Sequence, residues 1–208
     1  SQYVTITGVN DDVDDDDQET TVTISVVDGS SDDAFDPLAN QAVTVTTTDD
    51  DTVGYTLSAT TVTVTEAGTT ATFTVVLDTQ PSTNVVLTVT SADTGEATVS
   101  PSTLTFTNGN WDSAQTVTVT GVNDDVDDGD QETTITVAVD DANSDDTYDN
   151  VADSTVTATT ADDDTAGYTL SGTPVTVAEG PLISTSMVPV VLDTQPIFDV
   201  VFSVSSAD

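Results

Sequence analysis

The sequence predicts an all-β protein built of tandem antiparallel β-sandwiches, one complete repeat flanked by two partial ones. Three observations predict it. Thr7-Gly8-Val9-Asn10-Asp11-Asp12 returns 113 residues later as Thr120-Gly121-Val122-Asn123-Asp124-Asp125, and Gly54-Tyr55-Thr56-Leu57-Ser58 returns at the same shift as Gly167-Tyr168-Thr169-Leu170-Ser171. A period this long is a whole domain rather than a solenoid turn. Apolar residues alternate with Thr, as in Val117 and Val119 between Thr116, Thr118 and Thr120, and period two marks half-buried strands. No stretch of ten or more residues carries a helical period, and Gly, Pro, Asn and Asp punctuate every gap.

The complete repeat covers residues 54–166. Strands are expected at Tyr55–Leu57, Thr61–Thr65, Ala71–Leu77, Asn84–Thr90, Ser102–Phe106, Gln115–Thr120, Thr133–Val139 and Ser154–Thr160. Seven or eight short strands in roughly 110 residues is sandwich spacing, with almost no helix. Thr suits the outer faces because it is β-branched and uncharged, which keeps carboxylates from facing one another across a sheet. Few large side chains are available to the core, namely Phe73, Phe106, Trp111, Tyr55 and Tyr148, so a thin, Val-rich interior is expected.

Residues 1–53 align with the closing half of the repeat, and residues 167–208 with its opening half. Leu77-Asp78-Thr79-Gln80-Pro81 returns as Leu192-Asp193-Thr194-Gln195-Pro196 after 115 residues, which places a two-residue insertion near Pro181 to Pro189. Residue 1 aligns with Ala114 and residue 208 with Asp93. A tail joined to a head therefore rebuilds a repeat lacking only the stretch equivalent to Gly95 and its neighbours through Trp111. Two readings follow: a piece of a longer array, or protomers that complete each other head to tail.

Composition excludes much. With 38 acidic residues and no Lys, Arg or His, the chain has a formal net charge of −38 and no side chain that could form an internal salt bridge. Nucleic acid and anionic membrane surfaces need a basic face and are excluded as electrostatic partners. There is no Cys or Lys nucleophile, no His base and no thiolate or imidazole for zinc, so no enzymatic activity is expected. Neither a disulfide nor a lysine-derived isopeptide link can form. No run approaches the ~18 apolar residues of a membrane span. A secreted or cell-surface location is expected from the Thr-rich, cysteine-free character, with any export signal outside these residues.

Clustered carboxylates repel and raise one another's pKa unless something from solution neutralises them. The acid is concentrated in loops and sparse in strands. Glu66 follows the second strand and Asp93 the fourth; Asp124, Asp125, Asp127, Asp128, Asp130 and Glu132 share one loop, and Asp162, Asp163 and Asp164 close the repeat. The pattern recurs at Asp11, Asp12, Asp14, Asp15, Asp17 and Glu19 and at Asp49, Asp50 and Asp51, while Glu179 and Asp208 stand at the places of Glu66 and Asp93. Oxygen-only ligands in such numbers suit Ca2+, which accepts six to eight oxygens with loose geometry, better than Mg2+. The competing reading is a merely solvated acidic surface. The loop is not an EF-hand: with Gly129 as the obligatory glycine, Val126 and Ile135 fall on ligand positions, and Asp16 replaces the glycine in the first copy.

Val64-Thr65-Glu66-Ala67-Gly68, Phe73-Thr74-Val75-Val76-Leu77 with Pro81, Asn123-Asp124-Asp125 leading to Asp128-Gly129-Asp130, and Asp162-Asp163-Asp164 together resemble the Calx-beta domain of sodium/calcium exchangers, integrin β4 and many large bacterial surface proteins. The similarity runs the length of the chain, and Asn110-Trp111 before Gln115 is most like the bacterial surface form. The resemblance implies an Ig-like sandwich binding calcium at one end through Glu66, Asp93, Asp124, Asp125, Asp128 and the closing Asp triplet. The family usually has a Glu-rich stretch where this chain has Asp128 and Asp130.

The expected function is thus structural, a calcium-stiffened repeat of an extracellular filament, stalk or giant adhesin that joins end to end. The alternative is a module binding surface glycans or a receptor, for which Trp111 is the one candidate stacking ring; a lone aromatic at a strand entrance is more often packing. A glycosidase would need a carboxylate pair facing a cleft. Tyr55 and Tyr168 are expected to pack at the junctions, and Asp32, Asp33, Asp145 and Asp146 to lie in a solvated turn.

Overall fold

The computed structural model describes residues 1–180 and 184–207. Asp208 lies outside them, as does part of the expected insertion. In chain order the strands are β1 (Gln18–Ile24), β2 (Gln41–Thr47), β3 (Tyr55–Leu57), β4 (Thr61–Thr65), β5 (Thr70–Leu77), β6 (Val85–Ser91), β7 (Ala97–Ser100), β8 (Thr103–Phe106), β9 (Gln115–Gly121), β10 (Gln131–Val139), β11 (Ser154–Ala161), β12 (Tyr168–Leu170) and β13 (Val190–Leu192). The helical elements among the described residues are two 3-10 turns, Asp141–Asn143 and Asp146–Tyr148. The protein is all-β.

Strands β3 to β11 form two sheets, ordered β3-β5-β9-β7 and β4-β11-β10-β6-β8. Alternation sets which side chains meet between them. Along β5, Phe73, Val75 and Leu77 point inward while Thr72, Thr74 and Val76 do not, and Val117 and Val119 do the same on β9. From the other sheet come Val85, Leu87, Val89, Ile135, Val137 and Val156, all within 1% of full burial. Burying Phe73 or Phe106 contributes about 1.5–3 kcal/mol each, so this Val-rich core leans on a few rings.

One pairing departs from the expected antiparallel sandwich. β4 runs parallel to β11, with Thr61 opposite Thr157 and Thr65 opposite Ala161. The reason is a change of sheet: the first segment pairs antiparallel with β5 as β3, crosses at Ser58–Thr60, and continues as β4 beside the last strand. The second departure is β7, whose four residues are not among the expected strands.

The partial copies reproduce pieces of the complete one. β1 and β2 pair with Gln18 opposite Thr47, the counterpart of Gln131 opposite Thr160 in β10 and β11. β12 and β13 pair with Tyr168 opposite Leu192, as Tyr55 stands opposite Leu77.

Two single-residue expectations are corrected. Tyr55 does not pack at a junction but in the core, 8% exposed, where its hydroxyl donates to the Val137 carbonyl at 2.7 Å and accepts from the Ser154 N–H at 3.0 Å. Asp145 is not solvated: it is 4% exposed and accepts from Ser82 Oγ (2.7 Å), Thr83 N (2.8 Å), Thr147 N (3.1 Å) and Thr147 Oγ1 (2.9 Å). Burial acts to raise its pKa, but these four bonds outweigh it and hold the carboxyl well below the usual range. Tyr168 is 56% exposed and meets Phe202 edge to face, with ring centroids 4.9 Å apart.

Candidate metal centre

The acidic loops meet at one end of the sandwich. Glu66 follows β4, and its N–H bonds the Ala161 carbonyl at the end of β11 at 3.1 Å, which ties it to the closing Asp triplet. One carboxylate oxygen from each of Glu66, Asp162 and Asp164 lies within 4.8 Å of the others. Oxygens held at calcium distances of roughly 2.3–2.6 Å stand at most about 5 Å apart across the ion, so all three can reach one cation.

Glu66 is only 2% exposed, and its Oε2 has no hydrogen-bond partner. Burying a carboxylate without a counter-charge is costly, and the chain holds no basic side chain to supply one. Burial pushes the Glu66 pKa up; the Asp163 N–H acts against this, while the charges of Asp162, Asp124 and Asp164 add to it. Asp164 is likewise raised, by burial and then by Asp125, Asp162, Asp163 and Asp124. Asp162 is lowered instead, because the N–H groups of Asp164 (2.8 Å) and Gly129 (2.7 Å) donate to its two oxygens. Its charge is thereby fixed in place.

Of the other expected ligands, Asp124 stands close enough to raise both Glu66 and Glu96, and its Oδ1 accepts from Val126 N at 2.7 Å. Asp125 acts on Asp164. Asp130 Oδ1 takes the Asp162 N–H at 3.2 Å, so it orders the loop from beside the cluster. Asp163 contributes its N–H to Glu66. Asp93 and Asp128 surround a different group, Glu96, which the sequence reading missed. Glu96 Oε2 is buried and unpartnered, and burial followed by Asp128, Asp124 and Asp93 raises its pKa. Its spacing three residues after Asp93 was the available signal; neither partial copy reaches that position to repeat it.

The first copy carries the same scaffold. Asp51 N donates to Asp49 Oδ1 (2.9 Å), Asp49 N to Asp17 Oδ1 (3.0 Å) and Val13 N to Asp11 Oδ1 (3.1 Å), each the counterpart of a bond above. Asp49 is lowered, chiefly by the Asp51 N–H, and Asp51 is raised by burial and then by Asp49, Asp50, Asp12 and Asp11. Asp15 N donates to Asp49 Oδ2 at 2.9 Å. Gly129 (φ 76°) and its counterpart Asp16 (φ 61°) both adopt the left-handed turn, which Asp tolerates better than most residues. Glu179, the counterpart of Glu66, is exposed and belongs to no such cluster among the described residues.

The same loops touch the next unit. The Asp125 carbonyl accepts from Gln195 N at 2.6 Å, and Asp127 Oδ2 from the N–H of Ala166, the last residue of the complete repeat, at 2.6 Å. At the preceding junction Asp14 Oδ2 accepts from Val53 N at 2.9 Å and the Asp12 carbonyl from Gln80 N at 2.7 Å. Trp111 packs partly buried against the core, and its carbonyl accepts the Leu77 N–H at 3.2 Å.

No protein-family model and no curated protein matches the chain. Among solved structures it is similar to the E. coli chaperone DraB, at 11% identity and a TM-score of 0.40 over 56% of this chain and 59% of that one. It is also similar to domains 4 and 5 of the S-layer protein SbsC, at 26% identity and a TM-score of 0.36 over 59% of this chain and 63% of that one. A third is SSP-19, an MSP-domain protein of Caenorhabditis elegans, at 20% identity and a TM-score of 0.35 over 51% of this chain and 97% of that one. The chain spans less than two thirds of the length of the first of these, and no function is carried over from them.

Proposed function

We propose that this chain is a calcium-stiffened structural repeat, of the Calx-beta kind its motifs resemble, from an extracellular stalk, filament or large adhesin whose units join end to end. One observation carries the reading: the buried, unpartnered Glu66 carboxylate converges with Asp162 and Asp164 in a chain without a cationic side chain. Glu66, Asp162 and Asp164 would hold the ion, with Asp124 and Asp125 beside them. A bound Ca2+ supplies the positive charge that converts their repulsion into attraction.

The link from ion to mechanics runs through the junction. Asp125 and Asp127 belong to the loop that flanks the cluster, and both accept N–H groups from Ala166 onward. A cation that fixes this loop also fixes the start of the next unit, and rigid junctions turn beads on a string into a rod. Calcium titration followed by small-angle scattering tests this: the maximum dimension should grow and its distribution narrow on calcium addition, with Glu66→Gln blunting the response. A profile indifferent to calcium contradicts the reading.

A further inference from the structure

We propose that Asn108-Gly109, in the turn between β8 and β9, is a self-modification site: the chain converts Asn108 to aspartate or isoaspartate through a cyclic imide, and the change loosens the loop that receives the preceding unit. The chemistry stands on this turn alone, while its mechanical consequence rests on the stalk reading above.

Asparagine is chemically labile, most so where the nitrogen that follows it is unhindered and free to swing toward the side chain. Asn108 is the one asparagine of the chain followed by glycine, and both residues are exposed in a turn. The Gly109 N–H donates to the Thr107 hydroxyl, at a long 3.3 Å, rather than to a ladder carbonyl. Asn110 lacks this freedom: it is followed by Trp111, and its Oδ1 accepts from the Thr107 hydroxyl at 2.8 Å. Asp128-Gly129 in the metal loop lacks it too, because Asp162 Oδ2 holds the Gly129 N–H at 2.7 Å.

Water is the one co-reactant. The Gly109 nitrogen attacks Asn108 Cγ, a C–N bond forms as the Cγ–Nδ2 bond breaks, and the proton of the attacking nitrogen leaves with ammonia. Water then opens the imide at one of its two carbonyls, giving aspartate or, with the main chain rerouted through Cγ, isoaspartate. Nothing is oxidised or reduced, and a neutral amide is replaced by a carboxylate that is charged at neutral pH.

That exchange falls on the receiving loop. Asn108 Nδ2 donates to the Pro81 carbonyl at 3.2 Å, and the Asn108 carbonyl accepts from Gln80 Nε2 at 2.9 Å. The next bond outward is the junction itself, from Gln80 N to the Asp12 carbonyl at 2.7 Å. A carboxylate has no donor to offer Pro81, so conversion sets two acceptors against each other, and the isoaspartate form also displaces the carbonyl that Gln80 Nε2 uses. Thr79 stays anchored, its carbonyl accepting from the Tyr148 hydroxyl at 2.7 Å. The loosening is thus confined to Gln80 and Pro81, where the preceding unit is met.

Peptide mapping by mass spectrometry of the 208-residue chain, held with calcium at mildly alkaline pH, tests the chemistry. Asn108 should convert before every other asparagine, and faster as pH rises. Gly109→Ala, whose Cβ would meet only Thr107 Oγ1 at 4.0 Å and so leaves the fold intact, should slow conversion about tenfold or more. Conversion no faster than that of Asn110 or Asn123, or undiminished by Gly109→Ala, overturns the site. Small-angle scattering tests the consequence: converted protein and Asn108→Asp should both show a broader distribution of dimensions in calcium than fresh protein, and an unchanged distribution overturns the coupling to the junction. Fresh protein indifferent to calcium contradicts the stalk reading, whereas Asn108 converting first in that same sample supports the modification site.

Discussion

At the scale of single residues, three side chains make sharp predictions. Asp145 anchors the Ser82–Thr83 loop from a buried position, and Asp145→Ala leaves donors such as Thr83 N unpaired, at about 1–3 kcal/mol for each donor left buried. Denaturant midpoints read this directly. Its lowered folded pKa means the contribution is present above the ordinary Asp value of about 3.9 and is lost as pH falls below it. Glu66 has the opposite sign. Its folded pKa lies above the unfolded one, so metal-free protein gains stability as pH falls through that raised pKa toward about 4.3, and the gain is abolished in Glu66→Gln. A metal-free stability curve flat across that window in the parent protein would contradict the assignment. Gly121→Ala drives a Cβ into the Thr65 carbonyl and should cost about 1–3 kcal/mol, whereas Gly8→Ala, whose Cβ meets only Thr47 Cγ2 at 3.6 Å, should stay within about 0.5 kcal/mol.

At the scale of elements, the strands of the complete repeat were legible wherever Val, Ile or Phe alternate with Thr over five or more residues, as in β5, β9 and β10. β7 was not, because Ala97-Thr98-Val99-Ser100 is short, carries one large apolar side chain and sits at a sheet edge. The parallel β4–β11 pair was hidden as well, since alternation gives which face a residue takes and says nothing of a neighbour's direction. Within the site, Glu66, Asp162 and Asp164 were readable from loop position and repetition. Glu96 was not repeated, and the burial of Asp145 depends on a contact made 63 residues away in sequence. Amide exchange separates the elements: β9 and β10, interior to their sheets, should be the most protected, and the edge strands β7 and β8 should exchange faster. Equal protection of β7, β8, β9 and β10 would contradict this sheet order.

At the scale of the molecule, a net charge of −38 without one basic side chain makes self-repulsion the chief electrostatic fact about the chain. The fold gathers carboxylates in the loops and lines the strands with Thr, so that repulsion is concentrated at the loops, where the proposed cation would offset part of it. On the proposed reading, a cation that binds only the folded unit would stabilise it by mass action, about 2.7 kcal/mol at a hundred times Kd. Loss of the Glu66 carboxylate should weaken calcium binding at least as much as the roughly 10–100-fold seen when only an outer partner of a ligand is removed. The most direct measurement is thermal unfolding of the 208-residue protein in calcium, in magnesium at matched ionic strength, and in excess chelator. The account predicts a Tm that rises with calcium, changes little with magnesium, and loses its calcium response in Glu66→Gln; a Tm identical in calcium and chelator would contradict it.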